Sequence, residues 1–261
     1  MQKKAFVLAA LLPFAAACSD STGPEAGQVA VRFRAVTATG ASASLGSTSG
    51  VSFDHVPVTG AITLTGSNGT LVLQDIRVIV SELELKRAEG ACMGEGEDDD
   101  CEKFEGGPFL VNLLDGSATQ SVSALIPAGS YTEFEFEVED LDADEDDSAA
   151  ERQAIGSIFT QVRQAYPAFP SNASMVVHGT FTPTGGTAQP FTVYFDAEIE
   201  VEHKFATAFR VPEDGAITVN LDPALWFRTG TQVMNLAAVN GKTLEFEAEF
   251  KNGIASIEHD D

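Results

Sequence analysis

An acidic segment ahead of a predicted helix has the residue types and spacing of a calcium-binding loop. Asp140, Asp142 and Asp144 stand at positions one, three and five of the EF-hand pattern, and Glu151 stands at position twelve. The match is partial, because Glu145 occupies the place of the usual glycine and a strand pattern precedes the loop. The spacing predicts a strand–loop–helix calcium site. The alternative is a solvated acidic loop that stabilises the helix N-terminus, and acidic runs are commonly of this kind.

Two cysteines lie in a second acidic loop, residues 88–107. Cys92 and Cys101 would close a loop of about ten residues, and a disulfide there would stabilise the fold by about 2–3 kcal/mol in the chain-entropy model. Exported proteins commonly form such disulfides, so this is the prediction. Two alternatives use the segment for metals: copper(I) at the cysteines and Met93, and calcium at the carboxylates of residues 95–102.

The four histidines are spread along the chain. His178 and His203 lie in predicted strands, and two strand histidines can meet across a sheet to bind copper or zinc. No close-spaced ligand motif supports this, and a histidine at a strand end is more often a hydrogen-bonded boundary residue. The sequence also contains no nucleophile elbow, phosphate loop, zinc-protease helix or dinucleotide fingerprint. We therefore expect a non-enzymatic protein without catalytic residues.

The strands that must position these residues alternate apolar and acidic side chains. The clearest are residues 131–139, 191–202 and 244–250. This period-2 pattern predicts antiparallel strands with one dry face and one acidic face. Like charges directly opposite each other destabilise a sheet, so we expect these strands either to alternate with basic strands or to bind cations. The basic candidates are Arg32, Arg34, Arg77, Lys86 and Arg87.

Other local signals indicate a hairpin, a bulge and a helix. Asn68-Gly69 between apolar runs predicts a hairpin. A change of buried face along the next strand predicts a bulge near Ser81. Residues 148–166 predict an amphipathic helix that opens with a Ser148–Glu151 capping box and covers an end or edge of the sheet. A partner-binding role for its apolar face is the alternative. Asp222-Pro223 predicts a short helical turn.

The N-terminus predicts export. Lys3 and Lys4 precede an apolar run that ends in three alanines, which is the pattern of a signal peptide over residues 1–17. The run is too short to span a bilayer, which needs about 20 apolar residues. The segment resembles bacterial lipoprotein signals, which implies lipidation of Cys18, a tether over residues 18–27 and a place in the cell envelope. Ser19 does not resemble an aspartate-type retention signal, which favours the outer membrane or cell surface.

Composition restricts the partners. The chain has 39 acidic and 15 basic residues, for a net charge of −24. Such a charge repels nucleic acid and anionic headgroups, so we expect membrane contact through the lipid alone. It favours cations, although solubility is the simpler explanation. The apolar content of 44% is sufficient for a full core.

Four segments resemble uncharacterised bacterial lipoproteins built on a domain of unknown function: residues 73–88, 126–140, 181–186 and 219–227. That family implies a prealbumin-type β-sandwich over most of residues 28–258, and none of these segments is catalytic. We therefore predict a mainly β chain, an antiparallel β-sandwich with one inserted amphipathic helix. As function we predict a lipid-anchored surface or periplasmic module, stabilised by calcium, with a binding or structural role. The alternative is a periplasmic copper- or zinc-binding protein. The sequence names no protein or small-molecule partner.

Overall fold

The structure is a computed structural model that describes most of the chain between Ala26 and His259. The described residues are 26–38, 55–57, 60–88, 103–114, 120–141, 148–211 and 214–259. Across these ranges, no helix combines the length and apolar character needed to cross a membrane. The strands are β1 (Ala26–Ala38), β2 (His55–Pro57), β3 (Ile62–Gly66), β4 (Gly69–Val80), β5 (Glu82–Arg87), β6 (Lys103–Gly106), β7 (Phe109–Asn112), β8 (Gln120–Pro127), β9 (Gly129–Val138), β10 (Met175–Pro183), β11 (Gln189–Asp196), β12 (Ile199–Val211), β13 (Ala216–Leu221), β14 (Arg228–Thr229), β15 (Gln232–Val233), β16 (Thr243–Glu245) and β17 (Ile254–His259). The helices are α1 (Ala149–Ala165), α2 (Pro223–Trp226), α3 (Glu247–Asn252) and a 3-10 helix at Leu236–Val239.

The strands form three larger sheets. Sheet I has the order β17-β13-β1-β2, and β8 also pairs with β1. Sheet II has the order β16-β11-β10-β4-β3, and β7 also pairs with β4. Sheet III has the order β12-β9-β5-β6. The pairs are antiparallel apart from β1–β13 and β11–β16, which are parallel. The mainly β sandwich is therefore confirmed, with two parallel pairs that the sequence did not indicate.

The apolar faces of the three sheets meet in one core. Phe33 of β1 and Phe136 of β9 pack edge to face, with ring centroids 5.4 Å apart. Val177 of β10 is fully buried in the same core. Burying a large apolar side chain stabilises a fold by roughly 1.5–3 kcal/mol. Because this core fixes which side chains of each strand point inward, it also fixes which point to solvent.

Helix α1 covers the outer face of sheet II. Ile158 and Val162 are buried against Ile79, Val176 and Tyr194, whose side chains have the opposite phase to the core-facing residues of their strands. The predicted amphipathic helix and its inward apolar face are confirmed. The predicted position at an end or edge of the sheet is wrong, because these strands carry apolar residues on both faces and the second face also needs cover.

The predicted bulge near Ser81 is a change of sheet. Strand β4 ends at Val80 in sheet II, and β5 begins at Glu82 in sheet III. The Ser81 N–H donates to the carbonyl of Glu137 at 3.0 Å, which holds the crossing point to β9. The buried face changes because the chain passes from one sheet to another.

The predicted strand at residues 244–250 is wrong for its second half. The structure has the short strand β16 followed by helix α3. Phe246 and Phe250 lie four residues apart, so the same apolar positions also fit one face of a helix. Both rings are buried against Trp226, which stacks on Phe250 at 4.9 Å. Tertiary packing therefore selects the helix.

Two predicted turns are present. Strands β3 and β4 form a hairpin in which Gly66 pairs with Gly69 across the turn. Asp222 caps α2, and its carboxylate accepts a hydrogen bond from the Ala224 N–H at 2.9 Å, with Pro223 in the first turn. Both confirm the local sequence signals.

Candidate cation-binding face

The outward face of sheet III arranges charged side chains in three rows across its strands. The first acidic row contains Glu200, Glu137 and Glu82, directly opposite one another on β12, β9 and β5. The second acidic row, two residues along, contains Glu202, Glu135, Glu84 and Glu105. The lysine row contains Lys204, Glu133, Lys86 and Lys103.

The prediction that basic strands separate the acidic strands is therefore wrong. Strand β9 lies between β5 and β12, and both place glutamates opposite those of β9. The sheet collects its lysines in one row instead, which leaves two rows of carboxylates side by side. Of the predicted basic residues, Lys86 lies on this face. The arginines lie elsewhere: Arg32 on β1, Arg34 bound to Asn220, Arg77 bound to Asp75, and Arg87 bound to the carbonyl of Ala128.

The lysines neutralise one end of the face. The ammonium group of Lys86 lies 2.5 Å from a carboxylate oxygen of Glu135, 3.3 Å from Glu133 and 3.7 Å from Glu84. Lys204 lies 2.9 Å from Glu202 and 3.5 Å from Glu133. Lys103 forms an ion pair with Glu105 and lies 4.0 Å from Glu84. In the part of the chain that the structure describes, no ion pair reaches the first acidic row.

Burial of the carboxylates and their mutual repulsion raise several pKa values. Burial, then the charges of Glu105 and Glu137, raise the pKa of Glu82. Burial and the charge of Glu137 raise the pKa of Glu139 beside the first acidic row. A hydrogen bond with the carboxyl of Glu135, together with the charges of Glu135 and Glu137, raises the pKa of Glu200. A bound cation would remove the same repulsion.

Three groups of carboxylates are close enough to hold one ion each. Within each group, ligand oxygens lie within 4.8 Å of one another. Calcium–oxygen distances are about 2.3–2.6 Å, so oxygens on opposite sides of one calcium ion are about 5 Å apart. The spacing therefore fits calcium. The groups are Glu82, Glu84 and Glu105; Glu135, Glu137 and Glu200; and Asp140, Asp196 and Glu198.

Asp140 and Glu151 are the two predicted calcium residues that the structure describes. Asp140 follows β9 and belongs to the third carboxylate group, with Asp196 and Glu198 at the turn between β11 and β12. Glu151 caps α1: its carboxylate accepts from the Ser148 N–H at 2.7 Å, and this bond lowers its pKa. Both residues line one open cavity of about 650 Å³.

The loop motif did not predict Asp196 and Glu198, because it contains only residues 140–151. Their signal was the strong acidic phase of residues 191–202, but the register of β12 on β9 was needed to place them beside Asp140. The remaining predicted sites lie outside the described residues and stay predictions. They are Cys18, Cys92, Met93, Cys101, Asp142, Asp144 and the carboxylates of residues 95–102.

The two predicted histidine ligands lie on different sheets. His178 is on β10, and its Nδ1 lies 3.0 Å from the Thr192 hydroxyl. His203 is on β12, and its ring packs edge-on against Phe205 at 5.4 Å. The ring of His259 packs on the same phenylalanine at 5.2 Å. Burial, together with the charge of His259, lowers the pKa of His203. His203 therefore has a histidine neighbour that sequence reasoning did not identify.

Comparison with known proteins gives one distant structural similarity to report. No family model matches the sequence, and no curated protein matches it. Among solved structures, MbnP from Methylosinus trichosporium is 16% identical to this chain, with a TM-score of 0.41. The alignment covers 80% of this chain and 79% of that one. At this identity and TM-score, the similarity carries no conclusion about function.

Proposed function

We propose that the protein is a non-enzymatic module of the cell envelope that binds calcium on the acidic face of sheet III. Its signal peptide and Cys18 direct export and lipid anchoring at the outer membrane or cell surface. The observation that carries the calcium proposal is the pair of adjacent acidic rows, in which three neighbouring strands place glutamates directly opposite one another.

The energetics of the face favour a hard cation. Cross-strand pairs contribute about 0.2–1 kcal/mol each, and like charges directly opposite are destabilising. Bound calcium converts this repulsion into shared coordination by oxygen ligands, which calcium prefers. Calcium sites of extracellular modules have Kd values of about 0.1–1 mM, a range that an open, partly solvated face can provide.

The role of calcium in this proposal is structural. An ion between Glu137 and Glu200 ties β9 to β12, and an ion between Glu82 and Glu105 ties β5 to β6. An ion at Asp140 ties the end of β9 to the turn between β11 and β12. Calcium therefore stabilises sheet III and holds its face in one conformation.

The test is thermal unfolding of the full-length protein in chelator and then in calcium, with magnesium at matched ionic strength. Calcium at about one hundred times its Kd adds about 2.7 kcal/mol of unfolding free energy for each ion bound. This raises Tm by roughly 5–10 °C for a domain of this size. Magnesium demands stricter octahedral geometry and keeps its waters, so we expect a smaller rise. Equal rises in Tm in both salts would mean that the salts screen the negative charge and that calcium has no specific site.

The loop beyond Asp140 has its own test. If Asp142 and Asp144 complete a site with Asp140, the double variant Asp142→Asn, Asp144→Asn loses part of the calcium-dependent rise in Tm. If the calcium-dependent rise in Tm is unchanged in that variant, Asp142 and Asp144 are not ligands. The site then consists of Asp140, Asp196 and Glu198. The two versions of the proposal are therefore separated by one measurement.

A second candidate function is transition-metal binding at His203 and His259. The packing of both imidazole rings on Phe205 favours it over the predicted pairing of His203 with His178. Zinc and copper both accept imidazole ligands. A zinc or copper titration monitored by calorimetry tests it: stoichiometric binding that is lost in His203→Ala supports this function, and binding retained in that variant rejects it.

A further inference from the structure

A second cavity lies between the C-terminal end of α1 and the outer face of sheet II. Its volume is about 390 Å³, and it opens to solvent. Tyr166 and Pro167 form one wall, and His178, Thr192 and Tyr194 form the floor. This cavity is separate from sheet III, and a ligand there is independent of the proposed calcium function.

The floor is held rigidly by neighbouring strands. His178 of β10 lies between Asp75 of β4 and Thr192 of β11 in one cross-strand row. The β4–β10 register shifts between His178 and Gly179, and such bulges often re-aim a side chain beside a site. A Cβ at Gly179 would lie 2.0 Å from the carbonyl oxygen of Val72, so this close approach requires glycine. The Thr192 hydroxyl, 3.0 Å from Nδ1, fixes the imidazole ring.

The wall is fixed by an ion pair beneath it. The Tyr166 hydroxyl donates to Asp75 at 2.6 Å, and the Arg77 guanidinium donates to the same carboxylate oxygen at 2.9 Å. The guanidinium also lies 5.3 Å from the Tyr166 ring centroid. The tyrosine ring is therefore oriented before any ligand binds, and Arg77 balances the charge of Asp75.

The lining selects against ions. No carboxylate, lysine or arginine among the described residues lines this cavity. The net charge of −24 repels anions from the whole molecule. The cavity offers aromatic rings and a proline for apolar contact, together with an imidazole and a hydroxyl for hydrogen bonds. This combination suits a neutral ligand that has one apolar face and a hydroxylated rim.

We propose that the cavity binds a carbohydrate unit. The C–H face of a sugar ring packs on the ring of Tyr166, and its hydroxyls exchange hydrogen bonds with His178 and Thr192. Small-molecule sites usually combine aromatic and apolar side chains with a few precisely positioned polar groups. A volume of about 390 Å³ is at the small end of such sites and accommodates one or two sugar rings.

The test is NMR titration of the full-length, isotope-labelled protein in chelator with methyl glucoside, methyl galactoside and N-acetylglucosamine. We expect at least one of them to shift amide signals around Tyr166, His178 and Thr192 saturably, with a Kd in the millimolar range. His178→Ala and Thr192→Val should each weaken this binding about tenfold or more. The matched control, Thr229→Val, changes an exposed threonine of β14 outside the cavity and should leave the Kd unchanged.

Several results would overturn the proposal. One is the absence of saturable shifts with all three sugars; another is equal binding to both cavity variants and wild type. Stronger binding of sodium acetate or ammonium at these amides would also reject a neutral ligand. If His178→Ala lowers Tm, its loss of binding could come from loss of folding. Thr192→Val nearly keeps the shape of the side chain, so weaker binding in that variant reports on the lost hydroxyl.

Discussion

The first acidic row leads to a prediction in which one substitution has opposite effects with and without calcium. Glu137 lies directly between Glu82 and Glu200, so its charge faces a like charge on each side. Glu137→Gln keeps the shape of the side chain and removes this charge. Cross-strand pairs are worth about 0.2–1 kcal/mol each, so the substitution should add about 1 kcal/mol to the unfolding free energy in chelator. For a domain of this size, Tm then rises by about 2–4 °C.

In calcium the same substitution removes a ligand. If the Kd rises tenfold, the stabilisation at a fixed calcium concentration falls from about 2.7 to about 1.4 kcal/mol. The part of the calcium-dependent increase in Tm that comes from this one ion should then be about half its wild-type value. The variant is therefore more stable than wild type in chelator and gains less from calcium. Differential scanning calorimetry in both buffers measures the two effects together.

The control and the contrary result are specific. Glu245→Gln removes an exposed glutamate from β16 of sheet II and should leave the calcium increment unchanged. A lower Tm of Glu137→Gln in chelator would show that this carboxylate stabilises the fold, and the repulsion argument would be wrong. An unchanged calcium increment would place the bound ion away from the group of Glu135, Glu137 and Glu200.

Three further predictions concern pH, a turn and the anchor. The pKa values of Glu82 and Glu139 are raised in the folded protein. Protonation of these two carboxyls therefore adds stability that is fully present below the ordinary value of 4.5 and is lost as pH rises through the raised values. His203 has a lowered pKa and acts in the opposite direction over this window, so the comparison is with the double variant Glu82→Gln, Glu139→Gln. In chelator, as pH falls from neutral toward 4.5, the urea midpoint of wild type should rise relative to that of the variant, and a constant difference would contradict the argument. Tyr131→Phe removes a 2.8 Å hydrogen bond to the Pro127 carbonyl and should cost about 1 kcal/mol in chemical denaturation, whereas no loss would mean that water replaces the bond. Cys18→Ser should move the protein from the membrane fraction to the soluble fraction, and continued membrane retention would exclude lipid at this residue as the anchor.

Local signals in the sequence predicted elements that the structure confirms. The capping box at Ser148 and Glu151 depends on two side chains three residues apart, and both of its hydrogen bonds form. The Asp222 cap is equally local. Alternation of apolar and acidic residues predicted β9 and most of β11, because one buried face is enough to fix the phase of a strand. The single strand predicted over residues 191–202 is wrong, because β11 ends at Asp196 in sheet II and β12 begins at Ile199 in sheet III.

Non-local choices were beyond the sequence. Phe246 and Phe250 fit either a strand or a helix, and their packing on Trp226 of α2 selects the helix. The position of α1 depends on the second apolar face of sheet II, at residues such as Val176. The candidate site was affected most, because the pairing of β9 with β5 and β12 decides which glutamates become neighbours. Asp140 was predicted from spacing, whereas its neighbours Asp196 and Glu198 follow from strand order.

The lysine row shows how this lattice of carboxylates accommodates positive charge. Lys86 places one ammonium group within 4 Å of Glu84, Glu133 and Glu135 on two adjacent strands. Four residues along, the same strands repeat the carboxylates at Glu82 and Glu137 without a lysine between them. Lys86 therefore neutralises the carboxylates at one end of the sheet. The distance between neighbouring strands and between successive side chains is the same at the other end. Since the backbone geometry repeats, the first acidic row presents the same kind of position to a cation from solution. Calcium carries twice the charge of an ammonium group and accepts more oxygen ligands, so it is the cation that this face should hold most tightly.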